Sequence, residues 1–488
     1  MYQDNNLYNA VKNNDLNAVK NITKIEKSPS SLSFATCLAA RDGHLEIVKY
    51  LVSIGAKIQY GDDNAIGSAS KNGHLEMVKY LVSVGGDINY KHCNPLCIAS
   101  ENGHLEIVKY LISLKADINE KLYGRCPMVL ASGNGHLEIL QHLVAAGADV
   151  RKENDFAVRV ASEGGYLDIV KYLVSLGANI RAEDDCAVGV ASQYGHTELV
   201  KYLVSLGADI NSGNNYAINW ACVEGHMETV KYLVSLGADI KSENSRAISL
   251  AIYGGHIDIA RYLISIGANI RGCKDAALYN AASGGYLDLV KELVFMGANV
   301  TAQKNSPVHL ASAYGHIDVV KYLVSCGANV KDNNNKAIID ACRNGNLEVV
   351  KYIISLGVDV RMNNDILIRT ASKMSCIDIV EYLFSKGANI KDDDDGAMRS
   401  TLKYNCVRVI KYLISIGADV RKIDTDTADE IINGLFLEHN FDDLYKFLEH
   451  SMIKNDDIKK TISKIKNSRE NFFVNLRKIN DTIIITKN

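Results

Sequence analysis

The 488-residue sequence predicts an all-α solenoid, about fourteen helix–turn–helix units in tandem joined by polar loops. Three observations carry this reading. A glycine, in most copies followed by histidine, returns every thirty residues. The segment behind it is apolar at helical spacing, and a second glycine closes that segment. No copy can bury its apolar face alone, so neighbouring copies must stack.

The frame is set by Gly43, Gly73, Gly103, Gly135, Gly165, Gly195, Gly225, Gly255, Gly285, Gly315 and Gly345, with one step of 32 residues between Gly103 and Gly135. Asn14 holds the same slot in AVKNNDLNAVK, and Ser375 and Asn405 continue the phase. A degenerate further copy is placed in FDDLYKFLEH, residues 441–450. In LEIVKYLVSIG (45–55), Leu45, Val48, Leu51 and Val52 share one helical face. Glu46 suits the positive end of the helix and reaches Lys49 three residues on. Gly55 ends the helix in a left-handed conformation.

The segment before each Gly-His step, such as AINWACVE (217–224), is a second, shorter helix with small residues at its centre. Asp63, Asp155, Asp185, Asn215, Ser245, Asp275, Asn305, Asn335, Asp365 and Asp395 stand two residues before its first Ala slot. These residue types are strong N-caps, and the position is expected to start that helix.

Composition bounds the function. A net charge of -3 gives no field to draw nucleic acid or an anionic membrane. The start, MYQDNNLYNAVKNND, has neither a basic region nor an apolar run, and no stretch approaches a membrane span. The 11 cysteines are scattered without a Cys-x-x-Cys, which speaks against disulfides and zinc. The expectation is a soluble, monomeric protein of the cytoplasm, without cofactor, metal, nucleic acid or membrane partner.

Eight of the 13 histidines fall in the Gly-His step, from His44 to His316. Stacked helices lie about 8–10 Å apart, whereas zinc needs its ligands within about 4 Å of one another. The register is therefore expected to be a structural post. The loop cations Arg151, Arg181, Lys241, Arg271, Lys331, Arg361, Lys391 and Arg421 are followed closely by Asp, Glu or Asn, so they make no phosphate track. KDDDDG (391–396) lacks the ligand spacing of a calcium loop. Trp220 is expected in the core because its slot holds Leu250, Leu310 or Val190 elsewhere, and His309 is expected to bond a neighbouring loop.

The unit resembles the ankyrin repeat. SPVHLASAYGHIDVV (306–320), NPLCIAS (94–100) and CPMVLAS (126–132) keep the proline of that family's first helix. The thirty-residue form is about three residues shorter than the usual repeat, which by that resemblance implies shortened hairpin loops. In that form it is similar to the ankyrin-repeat proteins of giant DNA viruses of the mimivirus type. The resemblance implies a capping repeat at 1–34, an array of 13 copies at 35–420, and a capping and basic tail at 421–488. It also implies non-catalytic binding of a protein partner, a host protein for a viral chain, on a concave face made by loop tips and first helices. The residues that vary between copies there are Tyr194, Glu224, Tyr253, Tyr314, Arg343, Asn344, Lys373 and Met374 before the Gly-His step, and Phe156, Tyr216, Arg246 and Lys336 at the loops. An adaptor that docks a ubiquitin ligase through 421–488 is the alternative, though the tail shows no F-box-like match. An enzyme or ligand binder would need titratable groups converging in one pocket. The longer loop KLYGRCP (121–127) is expected to dent or mark the surface, and with Ser375, a poor left-handed residue, the last two copies are expected to be looser or adapted.

Overall fold

A computed structural model describes residues 5–418 apart from 26–27, 61–62, 91–92, 120, 123, 243–244 and 404–406. The chain divides into two units, Met1–Asn269 and Ile270–Asn488. Among the described residues there are 28 helices and one two-residue hairpin, Gln59–Tyr60 paired antiparallel with Asp63–Asn64. The architecture is an all-α repeat solenoid. Asn405, Cys406, the copy at 441–450 and the tail at 421–488 lie outside the described residues.

Within each unit, first helices pack on first helices and second helices on second helices. The copy around Gly195 shows why. Its first helix closes at Gln193, Gly195 turns the chain at φ 73, and Thr197–Ser205 forms the second helix before Gly207 reverses it at φ 91. The first copy is built the same way, because Asn14 adopts φ 54 between Asn5–Lys12 and Leu16–Ile25.

Each second helix buries a narrow stripe, Ile47, Val48 and Leu51 in one copy and Leu199, Val200 and Leu203 in another. Each such side chain contributes about 1.5–3 kcal/mol on burial. The sequence expectation needs one correction here: Leu45 and Val52 are half-buried flanks, and Ile47 is the core residue that it omitted. The reason is geometric, since the deepest side of the second helix faces its own first helix rather than the next copy. On the solvent side, Lys49 reaches Glu46 at 2.7 Å, and the pair recurs at Lys79–Glu76 and Lys201–Glu198.

The Asx slot is not an N-cap in most copies. Glu153, Asn154 and Asp155 are three consecutive left-handed residues, so Lys152–Glu163 is not one continuous helix. The same triplet stands at 183–185 and 213–215, and in the second unit at 273–275, 303–305, 333–335 and 363–365. Asn and Asp tolerate this conformation better than other residues with a side chain.

The third residue then bolts one loop to the next. Asp155 Oδ1 accepts the Asn179 N–H at 2.9 Å, and Asp185 Oδ1 that of Asp209 at 3.1 Å. In the second unit Asp275, Asn305 and Asp365 accept from Asn299, Asn329 and Asn389 at 3.0, 2.9 and 2.7 Å. Ser33 does the same for Lys57 at 3.2 Å. True N-caps occur one slot later, where Asn64 accepts the Ile66 N–H and Asn94 the Cys97 N–H. Asn94 does so directly ahead of Pro95, a residue suited to the first helical turn.

Candidate functional site

The histidine register is a ladder of contacts between copies. His74 Nε2 bonds the Arg41 carbonyl at 3.0 Å, His104 that of Lys71 at 2.8 Å, and His196 that of Glu163 at 2.9 Å. In the second unit His316 bonds the Ser283 carbonyl at 2.8 Å. A carbonyl only accepts, so Nε2 carries the proton. Each carbonyl is one of the unpaired groups that end a first helix, and the next copy's histidine satisfies it. Asn346 does the same work with its amide, donating to the Ser312 and Ala313 carbonyls at 3.0 and 2.7 Å.

The ring also explains the glycine before it. A Cβ on Gly195 would lie 2.4 Å from the His226 ring, whereas one on Gly207 would meet nothing within 4 Å. Among the described residues no three His, Cys, Asp or Glu side chains gather as a metal site. No described helix is long and apolar enough to cross a membrane.

The loop cations are taken up locally. Arg181 holds Asp185 through Nε at 3.1 Å, and Arg151, Arg271 and Arg361 lie 3.9, 3.5 and 3.7 Å from their own Asx-slot aspartates. Lys331 instead donates to the Gly357 carbonyl at 3.0 Å. The cysteines include deeply buried ones, such as Cys222 and Cys342, whose thiols burial pushes far up.

The varying positions stand at two heights on the outward face of the first helices. At the C-terminal end, Tyr253 is 75% exposed, Tyr314 61% and Tyr194 47%. Tyr194 and Tyr314 each stack on the histidine two residues on, at 6.3 and 6.4 Å between ring centres. Tyr194 donates to Glu163 Oε1 at 3.3 Å, and that carboxylate holds its phenol above the ordinary value. Glu224, Arg343, Asn344, Lys373 and Met374 are exposed at the same height. Arg343 pairs with Asp340, and Asn344 donates to the Ala313 carbonyl at 2.7 Å.

At the loop end, Arg246 and Lys336 are exposed, while Phe156 and Tyr216 are half-buried. Tyr216 packs across Gly189 of the preceding copy and donates to Gln193 Oε1 at 3.1 Å, so part of it belongs to the stack. Tyr194, Tyr216, Phe156, Glu224, Arg246 and Tyr253 fall in the first unit, and the remaining four polar positions with Met374 and Tyr314 in the second.

Two expectations are corrected. Trp220 is half-buried rather than core, tilted against Tyr216 at 5.8 Å on the outward face. It lies one helical turn from Tyr216 and one from Glu224, and so joins the two heights. The polar occupants of its slot, Asn280, Asp340 and Thr370, were the available signal. His309 is 4% exposed and its Nε2 has no hydrogen-bond partner among the described residues, so it does not bond a described neighbouring loop through that nitrogen.

The geometry defines a tandem array of helix pairs whose constant residues bind copy to copy and whose varying residues face solvent. The sequence profile of Ankyrin repeats (3 copies) matches residues 7–92, 37–122, 91–154, 128–214, 188–272 and 278–364. The chain belongs to the ankyrin-repeat family, whose repeats are generally protein–protein interaction modules. Among curated proteins none matches it.

Proposed function

We propose that this protein is a non-catalytic scaffold that binds a partner protein along the outward face of its first helices. One observation carries the reading. Large exposed aromatics, Tyr194 and Tyr314 in the slot before the turn glycine and Tyr253 one residue earlier in its copy, stand at the same end of a frame whose constant residues make contacts between copies. Tyrosine and arginine are among the side chains that dominate protein interfaces. Trp220 beside Tyr216 extends the same face in the first unit.

The cytoplasm is the proposed site of action. The thirty-residue repeat supports a giant-virus type of ankyrin protein, for which the partner is a host protein. The test is affinity capture from a eukaryotic lysate with quantitative mass spectrometry. The full chain is compared with one carrying Tyr194, Tyr253, Tyr314 and Arg343 all changed to Ala, after circular dichroism shows equal folding. A protein held by the first and lost by the second establishes the surface. Equal recovery removes it.

A further inference from the structure

The loop at 121–127 is where the copy spacing stretches to 32 residues, and like the hairpin at 59–64 it pairs its own backbone across the turn. Leu122 and Arg125 exchange both backbone hydrogen bonds at 3.0 Å, with Gly124 left-handed at φ 80 between them. Leu122 is buried, and the first helix of this copy starts two residues after Arg125, at Pro127. The Arg125 backbone is therefore pinned on both sides while its side chain is exposed.

That side chain borders an open pocket of about 350 Å³ lined by Gly124, Arg125, Glu153, Phe156, Arg159 and Glu183. Two guanidinium groups lie over the Phe156 ring, Arg159 at 4.3 Å and Arg125 at 5.8 Å from its centre. A guanidinium over an aromatic face keeps its N–H donors in its own plane, pointing outward to a carboxylate. At Arg159 the arrangement is complete, because Nη1 donates to Glu183. Glu153 is taken by Lys121. Arg125 makes no ion pair among the described residues, so three cations face two carboxylates around this pocket.

We propose that Arg125 is a receptor for one acidic side chain of a protein partner, which completes at Arg125 the arrangement that Glu183 completes at Arg159. The proposal rests on the protein-binding reading above and adds the chemistry of one contact. The pinned turn lowers the cost of ordering the arginine, and the Phe156 face fixes where its donors point.

The probe is a phage-displayed library of random dodecapeptides, selected on the immobilised full chain and, in parallel, on Arg125→Ala. Enriched sequences are remade as fluorescein-labelled peptides and titrated by fluorescence polarisation. Selection on the unaltered chain is expected to enrich Asp or Glu at one fixed position. The matching peptide should bind about tenfold more weakly to Arg125→Ala, the scale of one charge-assisted contact. Changing its acid to the amide should have the same effect, and Phe156→Leu should weaken binding without removing it. Enrichment without a fixed acid, equal affinity for Arg125→Ala, or no enrichment at all overturns the proposal. Peptides insensitive to Arg125 but lost with Tyr194→Ala and Tyr253→Ala would overturn it while leaving the protein-binding reading standing.

Discussion

The bolt between loops yields a sharp test at Asp185. Its carboxylate, 4% exposed, accepts the Asp209 N–H at 3.1 Å and two Arg181 nitrogens at 3.1 Å. A hydrogen bond to a charged acceptor contributes about 1.5–3 kcal/mol. The arginine is 55% exposed, so its pairing adds less than about 1 kcal/mol. Asp185 also sits at φ 59, where alanine is about 1 kcal/mol worse than aspartate. Asp185→Ala should therefore cost about 3–4 kcal/mol. Asp185→Asn should cost about 1, because Asn305 holds the Asn329 N–H at 2.9 Å from the same slot. Asp185→Gly removes the acceptor while relieving the backbone, so it isolates the hydrogen bond. A long array need not unfold in one step, so the assay is local: hydrogen exchange by mass spectrometry on the peptide containing Asp209. Its protection should fall at least about thirtyfold more in the Ala variant than in the Asn variant, the factor for about 2 kcal/mol. Equal losses in the two would refute the bolt and leave only general destabilisation.

The other expectations concern glycine, serine and histidine. Gly195→Ala should cost about 1–2 kcal/mol in left-handed strain plus about 1–3 for displacing the His226 ring, and Gly207→Ala the strain alone. The gap between their thermal transitions measures the ring contact, and no gap would mean that the histidine yields freely. Ser375 adopts φ 59 where most of its sister residues are glycine, so Ser375→Gly should stabilise its copy by about 1 kcal/mol, read as slower exchange across 371–380. Burial first, then Lys336, holds the His309 pKa below 6.5. The unfolded chain then binds the extra proton first, so this group's stability is intact above about 6.5 and lost as pH falls from there towards the folded value. His309→Leu should flatten that part of a stability profile taken between pH 7 and 5.

What the sequence made legible were contacts that repeat in phase with the backbone. Gly43 and Gly55 mark their turns, Glu46 and Lys49 their pair, and one histidine per copy its place as a structural post. The Asx slot was legible as a residue type but not as a role. Asn and Asp suit both an N-cap and a left-handed turn, and the choice between them depends on an amide 24 residues away. Trp220 was misplaced because its apolar counterparts outweighed Asp340 in the same slot. The Phe156 pocket was out of reach for another reason. Phe156 and the 121–127 loop could each be singled out as unusual, but only the fold brings Arg125 over that ring.

The bolts span 24 residues and the histidine posts, at constant pitch, 33. Both intervals are counted from one copy into the next, and neither depends on how many copies come before or after. Where Asp155 and Asp185 make the same bolt in successive copies, excising one thirty-residue block would leave the remaining backbone donor facing an acceptor of the same kind. An array built this way can change its copy number by recombination without redesigning a junction. The 32-residue step is different: a block cut across it would join loops of unlike length and separate Arg125 from Phe156. Length is free to drift in the regular stretch, whereas the stretched loop is an address that must be kept whole.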